Sequence, residues 1–127
     1  MLASETVSAA SAARFVLASA DKLPQGLSPA EAELEAYGAA ASRGWINRAA
    51  GENMTLKDTA FLVMNAFEIK GGLFYSLFRN PRYAYRELIY RKIIQGRSDP
   101  AMAVSGERFL RILGRVLDYV GGEGGFN

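Results

Sequence analysis

The chain contains no cysteine and no histidine. The first absence excludes disulfides, thiolate metal sites and cysteine nucleophiles; the second removes every histidine-based catalytic triad and histidine proton transfer near neutral pH. Much of enzyme chemistry is removed at once. No apolar run approaches the roughly 18 residues that a membrane-spanning helix needs. Charge of one sign is scarce as well: 15 Lys and Arg stand against 13 Asp and Glu, and a net charge of +2 gives no reason to expect nucleic acid as a partner. No segment combines strict apolar/polar alternation with β-branched residues over a strand's length, so the sequence reads as all-α. Met1-Leu2-Ala3-Ser4-Glu5 has neither a basic n-region nor an apolar h-region and is not an intact secretory signal.

What is present is ordinary globular composition, half of it hydrophobic, over 127 residues. That length suffices for one core and not for two comfortable ones. Ser4 and Thr6 are the expected N-caps of a first helix reaching about Ala20, which Pro24 and Gly26 then interrupt. Ser28-Pro29-Ala30-Glu31 is a strong helix start: the serine oxygen accepts from an early amide, Pro29 loses nothing at the first position, and Glu31 reaches back. This second helix should run to about Arg43, with Gly44 marking its end. Thr55 and Asp58 form a capping box with the shorter acid, opening a third helix apolar nearly all round and therefore expected at the buried centre, closed by Gly71-Gly72. Asn80-Pro81 opens a fourth helix to about Gln95, ended by Gly96, and Ser105 caps a fifth, with Phe109, Ile112, Leu113, Val116, Leu117 and Val120 at helical spacing.

The stretch Met54-Thr55 to Gly71-Gly72 aligns without a gap on Val104-Ser105 to Gly121-Gly122, each copy a capped apolar helix followed by two glycines. The expected architecture is a compact all-α domain of two helix–loop–helix units plus an N-terminal helix. It spans residues 1–120, with units at about 28–70 and 81–120 and a flexible Gly-rich tail at 121–127. Helices two and three, and helices four and five, are the expected pairs. Repeated helical units of this kind bury their cores against one another and present binding surfaces rather than catalytic clefts.

Arg43-Gly44-Trp45-Ile46 followed by Met54-Thr55-Leu56-Lys57-Asp58, and Ile93-Ile94-Gln95-Gly96 followed by Val104-Ser105-Gly106-Glu107, resemble S-layer homology repeats, with Leu56 and Gly106 standing where that family carries arginine. Val7-Ser8 and Arg14-Phe15-Val16-Leu17 read as the remnant of a third unit. The resemblance implies a bacterial cell-envelope or periplasmic module that docks on an anionic wall polymer through grooves between repeats.

The densest functional-looking stretch, Phe74 to Arg86, interleaves aromatics with arginines. Guanidinium forks bind carboxylate or phosphate bidentately, and tyrosine faces stack on sugars or cations. Arg79, Arg82, Tyr83 and Arg86 are the candidate ligand contacts; Phe74, Tyr75 and Phe78 are the candidate apolar patch of a rival reading, a protein–protein adaptor that self-associates. The alternative for both sets is that the rings pack inward and the arginines are solvated. Glu87 and Arg91 read as a weak surface pair, Arg108, Arg111 and Arg115 as a solvated stripe, and Trp45 as a plug between helices. No spacing selects two of the carboxylates Glu52, Asp58, Glu68, Glu87 and Asp99 as an acid/base pair, and no metal or cofactor site is expected; the reading is of a non-catalytic module.

Overall fold

A computed structural model describes residues 5–72 and 79–124. Three short segments, 5–9, 52–56 and 102–106, meet in a closed ring of backbone hydrogen bonds. Val7 N donates to Val104 O (2.9 Å), Val104 N to Met54 O (3.0 Å), and Met54 N to Val7 O (2.8 Å). An outer set runs in the opposite sense: Ala9 N to Glu52 O, Leu56 N to Met102 O, and Gly106 N to Glu5 O, at 2.7–2.9 Å. The pairing is too short to make a strand and leaves three isolated antiparallel bridges, Thr6 with Ser105, Ser8 with Asn53 and Thr55 with Ala103. The side chains of Val7, Met54 and Val104 are fully or almost fully buried at its centre.

A helix leaves each corner of the ring. These are α1 (Ala9–Ser19), α3 (Leu56–Ala66) and α5 (Gly106–Gly124); two further helices, α2 (Pro29–Ser42) and α4 (Pro81–Tyr90), complete the described set. The N-cap hydroxyls are equivalent: Ser8, Thr55 and Ser105 accept from the amides of Ser11, Asp58 and Arg108 at 3.2–3.3 Å. The first cap is therefore Ser8 and not Thr6, whose hydroxyl instead donates to Asn53 Oδ1 across the ring (2.8 Å); Ser4 lies outside the described residues. The all-α expectation holds, and α3 is the buried centre, with eight of its residues in the core.

Helix pairing differs from expectation. Among the described residues, α2 packs along α1 and α4 along α3, while α1, α3 and α5 share the interior. Residues 43–55 and 91–105 are not hairpin turns between packed helices; each carries the chain back to the ring, and the ring sets the direction of the helix that follows.

Gly71-Gly72 and Gly96, expected to end helices, do not. Helix α3 stops at Ala66, with Glu68 in the left-handed region (φ 55°) and Ile69 N donating to Met64 O (2.9 Å). Helix α4 stops at Tyr90, with Lys92 left-handed (φ 61°) and Ile93 N donating to Leu88 O (2.9 Å). In both places the next apolar residue, Ile69 or Ile93, turns into the core. The hydrophobic contact of this C-terminal motif outweighs the backbone strain of a non-glycine left-handed residue. Gly121 and Gly122, expected in a flexible tail, lie within α5, which runs to Gly124; residues 125–127 are outside the described set.

The Ser28 capping box forms as expected, and the bonds from Ser28 hold the Glu31 carboxyl below its ordinary value of 4.5. Phe109, fully buried with its ring 6.5 Å from that of Phe15, is the side chain on which α1 and α5 close. Phe67, by contrast, is only partly buried as the C-cap of α3. Phe109→Ala should lower unfolding free energy by about 3–5 kcal/mol, measured by denaturant titration, and more than Phe67→Ala does. In native-state hydrogen exchange the amides of Val7, Met54 and Val104 should exchange together, only through global unfolding, although residue 7 is close to the chain start.

Candidate functional site

The ends of three helices converge at the seam between the α1–α2 and α3–α4 pairs. Asp21 (φ 61°), Gly44 (φ 76°) and Glu68 (φ 55°) reverse the chain just past α1, α2 and α3. Gly44 is the position where glycine's freedom is used as the sequence implies. These reversals set Lys22, Arg43, Trp45, Glu68 and Lys70 around one depression of about 580 Å³, floored by Met64, Asn65 and Ile69, with Arg79 on its rim. That volume lies within the range of about 300–1,000 Å³ typical of small-molecule clefts.

Four cations thus face one acid. Lys22 Nζ lies 3.1 Å from Glu68 Oε2, a bridge whose acid is 78% exposed and so worth little to stability. Trp45, the only tryptophan, is half-buried, its amide bonded to Ala40 O (2.9 Å), and the Arg43 guanidinium sits 5.1 Å from its ring centroid. It is a plug on its inner side and a wall of the depression on the other. A guanidinium held on an aromatic face keeps its edge donors for a carboxylate or phosphate oxygen. Lys22, Arg43 and Lys70 stand at or just beyond helix C-termini, whose carbonyls favour positive charge there, whereas Arg79 precedes the N-cap of α4.

Of the residues expected from sequence, only Arg79 belongs to this depression. Arg82 is exposed beside Lys57, Asn80 and Pro81, around a separate shallow hollow. Arg86 is exposed over the Tyr83 ring (5.7 Å) and borders a shallow apolar hollow with Tyr85, Ile89 and Tyr90. The four do not converge on one point. Phe74, Tyr75 and Phe78 lie outside the described residues. Lys22, Arg43 and Lys70 escape sequence reading, since nothing local joins the ends of three different helices. The signal that existed was shared: each follows a helix terminus.

Other charged residues prove to be structural ties. Glu87 and Arg91 are not a weak surface pair: Arg91 Nε donates to Glu87 Oε2 (2.5 Å), with side chains only 23% and 11% exposed. Glu87 Oε1 also accepts from Gly72 N (2.8 Å), and Arg91 donates to Tyr119 Oη and to Lys70 O (3.1 Å). This knot joins α4 and α5 to the segment that carries Lys70. The expected solvated stripe on α5 also resolves differently: Arg108 donates to Gln95 O (2.9 Å) and Ser98 Oγ (2.7 Å), and Arg115 to Ile93 O (3.2 Å), fastening the loop after α4. Only Arg111, paired with Glu107, is surface-exposed. The carboxylates are committed as well. Asp58 takes the Arg48 guanidinium (2.6 Å) and the Thr55 hydroxyl (2.7 Å), Glu52 the Ala49 amide (2.7 Å), and Asp99 the Ala101 amide (2.8 Å). Among the described residues no three acids are grouped as metal ligands.

Comparison with family models, curated proteins and solved structures finds no match for this chain.

Arg91→Ala should cost about 1.5–3 kcal/mol of stability, since it strips a part-buried charge of its partner, whereas Arg111→Ala should cost less than about 1 kcal/mol. Equal losses in paired denaturation curves would contradict the distinction.

Proposed function

We propose that this is a non-catalytic binding domain of the bacterial cell envelope that recognises an anionic wall polymer at the seam depression. The observation that carries the reading is the gathering of Lys22, Arg43, Lys70 and Arg79 around Trp45 with a single acid among them. A polymer of carboxylate- or phosphate-bearing sugars suits that chemistry: guanidinium and ammonium groups meet the anion, and the indole offers an apolar wall to a sugar face. Two features support the kinship with S-layer homology repeats. The caps Ser8, Thr55 and Ser105 stand equivalently at the three corners of one ring, as expected if the first helix is a third unit, and the depression lies at the seam between the packed pairs α1–α2 and α3–α4.

A second reading, the protein–protein adaptor, draws support from Tyr90, which is 83% exposed beside Ile89 at the hollow bordered by Arg86. Such an exposed ring is a common anchor of protein interfaces.

Sedimentation with isolated wall sacculi, intact or stripped of anionic polymers, separates these readings. The domain should pellet only with intact sacculi and less at high salt, and Trp45 fluorescence should report titration with released polymer. Arg43→Ala combined with Lys70→Ala should weaken binding by more than about 1 kcal/mol, roughly fivefold, with unchanged circular dichroism. If Arg82→Ala with Arg86→Ala has that effect instead, the ligand lies on α4. Absence of pelleting under every condition refutes polymer binding and directs attention to Tyr90.

A further inference from the structure

Helices α1, α3 and α5 leave equivalent corners of the ring, so their positions can be compared by counting from the N-cap. The fifth position is Ala13, Ala60 and Leu110; the first two are fully buried, whereas Leu110 is 49% exposed. The twelfth is Ala20, Phe67 and Leu117; the first two pack against the core, whereas Leu117, which its spacing places in the apolar stripe of this helix, is 43% exposed. Helices α2 and α4 pack along α1 and α3, but no described helix covers this face of α5.

Leu110, Gly114, Leu117 and Gly121 recur at spacings of four, three and four, the heptad seam of a helix meant for another helix. Both glycines are unexplained within the chain. A Cβ at either would meet nothing within 4 Å, and neither has a positive φ. Glycine in the middle of a helix is unfavourable, and neither local space nor local conformation requires it here. Its use would be to admit a large side chain from outside.

We propose that this face is the interface of a symmetric homodimer, in which α5 lies antiparallel on α5 of a second copy. The seam is complementary to itself in that direction only: Leu110 falls opposite Gly121 and Leu117 opposite Gly114, each leucine entering the gap over a glycine. The same register sets Arg111 beside the second copy's Asp118, twice over by symmetry; both residues are exposed on the flank next to the seam. On the other flank, Leu113 and the half-buried Val120 continue the apolar surface from the core. A leucine seam, glycine recesses and reciprocal charge thus specify the same partner, a copy of this chain, as an isologous interface requires. This interface is independent of the polymer-binding reading and uses none of its residues.

The seam is short, so the dimer should be concentration-dependent. Sedimentation equilibrium of the full chain from low micromolar to high micromolar concentration should show the mass rising from 13.8 kDa towards twice that value. Leu117→Glu should hold it at the monomer mass, with unchanged helicity and thermal midpoint. Arg111→Asp should weaken dimerisation about tenfold, and adding Asp118→Arg should restore it. The chain has no cysteine of its own, so copies carrying Gly114→Cys mixed with copies carrying Leu117→Cys should cross-link faster than either variant alone. A chain monomeric throughout, including one that instead binds a helix of another protein through Leu117, would overturn the proposal. So would a dimer indifferent to Leu117→Glu, or a charge swap that fails to restore association.

Discussion

Three backbone amides and three carbonyls, buried where no water reaches them, are satisfied only by one another. Val7, Met54 and Val104 each donate to one neighbour and accept from the other, so the ring exists complete or not at all. Buried backbone groups without partners are costly, which makes this closure the constraint on which the rest depends. It gathers segments about 50 residues apart in the chain, 5–9, 52–56 and 102–106, and it brings three N-caps together. From there α1, α3 and α5 share a core and leave α2 and α4 to pack on the outside. The entropy of closing two long loops is offset by the apolar side chains that the ring segments bury with it.

Having fixed the helix starts, the fold must also hold the long non-helical returns between them. Arginine does most of this. Arg48 clamps the first return to Asp58, Arg108 and Arg115 bind carbonyls of the second, and Arg91 ties the 70–72 segment to α4 and α5. A planar fork with several donors suits loop carbonyls that no helix satisfies. The chain's positive charge is therefore divided. One part is committed to backbone oxygens, and another gathers around Trp45 at the seam.

Local rules carried far into this sequence. The capping boxes at Ser28 and Thr55, the Asn80-Pro81 start and the Ser105 cap depend on residues three apart, and each forms as its spacing implies. Helix ends were less legible, because Glu68 and Lys92 accept a left-handed backbone so that Ile69 and Ile93 can be buried, a benefit visible only once the core exists. The cap of α1 was less legible than those of α3 and α5, since Val7-Ser8 shares its cap chemistry with Met54-Thr55 and Val104-Ser105 but little of their side-chain pattern.

The seam depression was the least legible part. Lys22, Arg43 and Lys70 lie on three helix ends, and only Arg79 also belonged to the basic, aromatic stretch that drew attention in the sequence. What the sequence determined by itself is what neighbours along the chain can settle: all-α content, the positions of every cap but that of α1, the exclusion of cysteine and histidine chemistry, and most of the apolar stripes. Which helices pair, which arginines are ties and which face the seam were decided by the tertiary structure alone. Those outcomes rest on backbone closure and side-chain burial between residues far apart in the chain, and no local spacing encodes them.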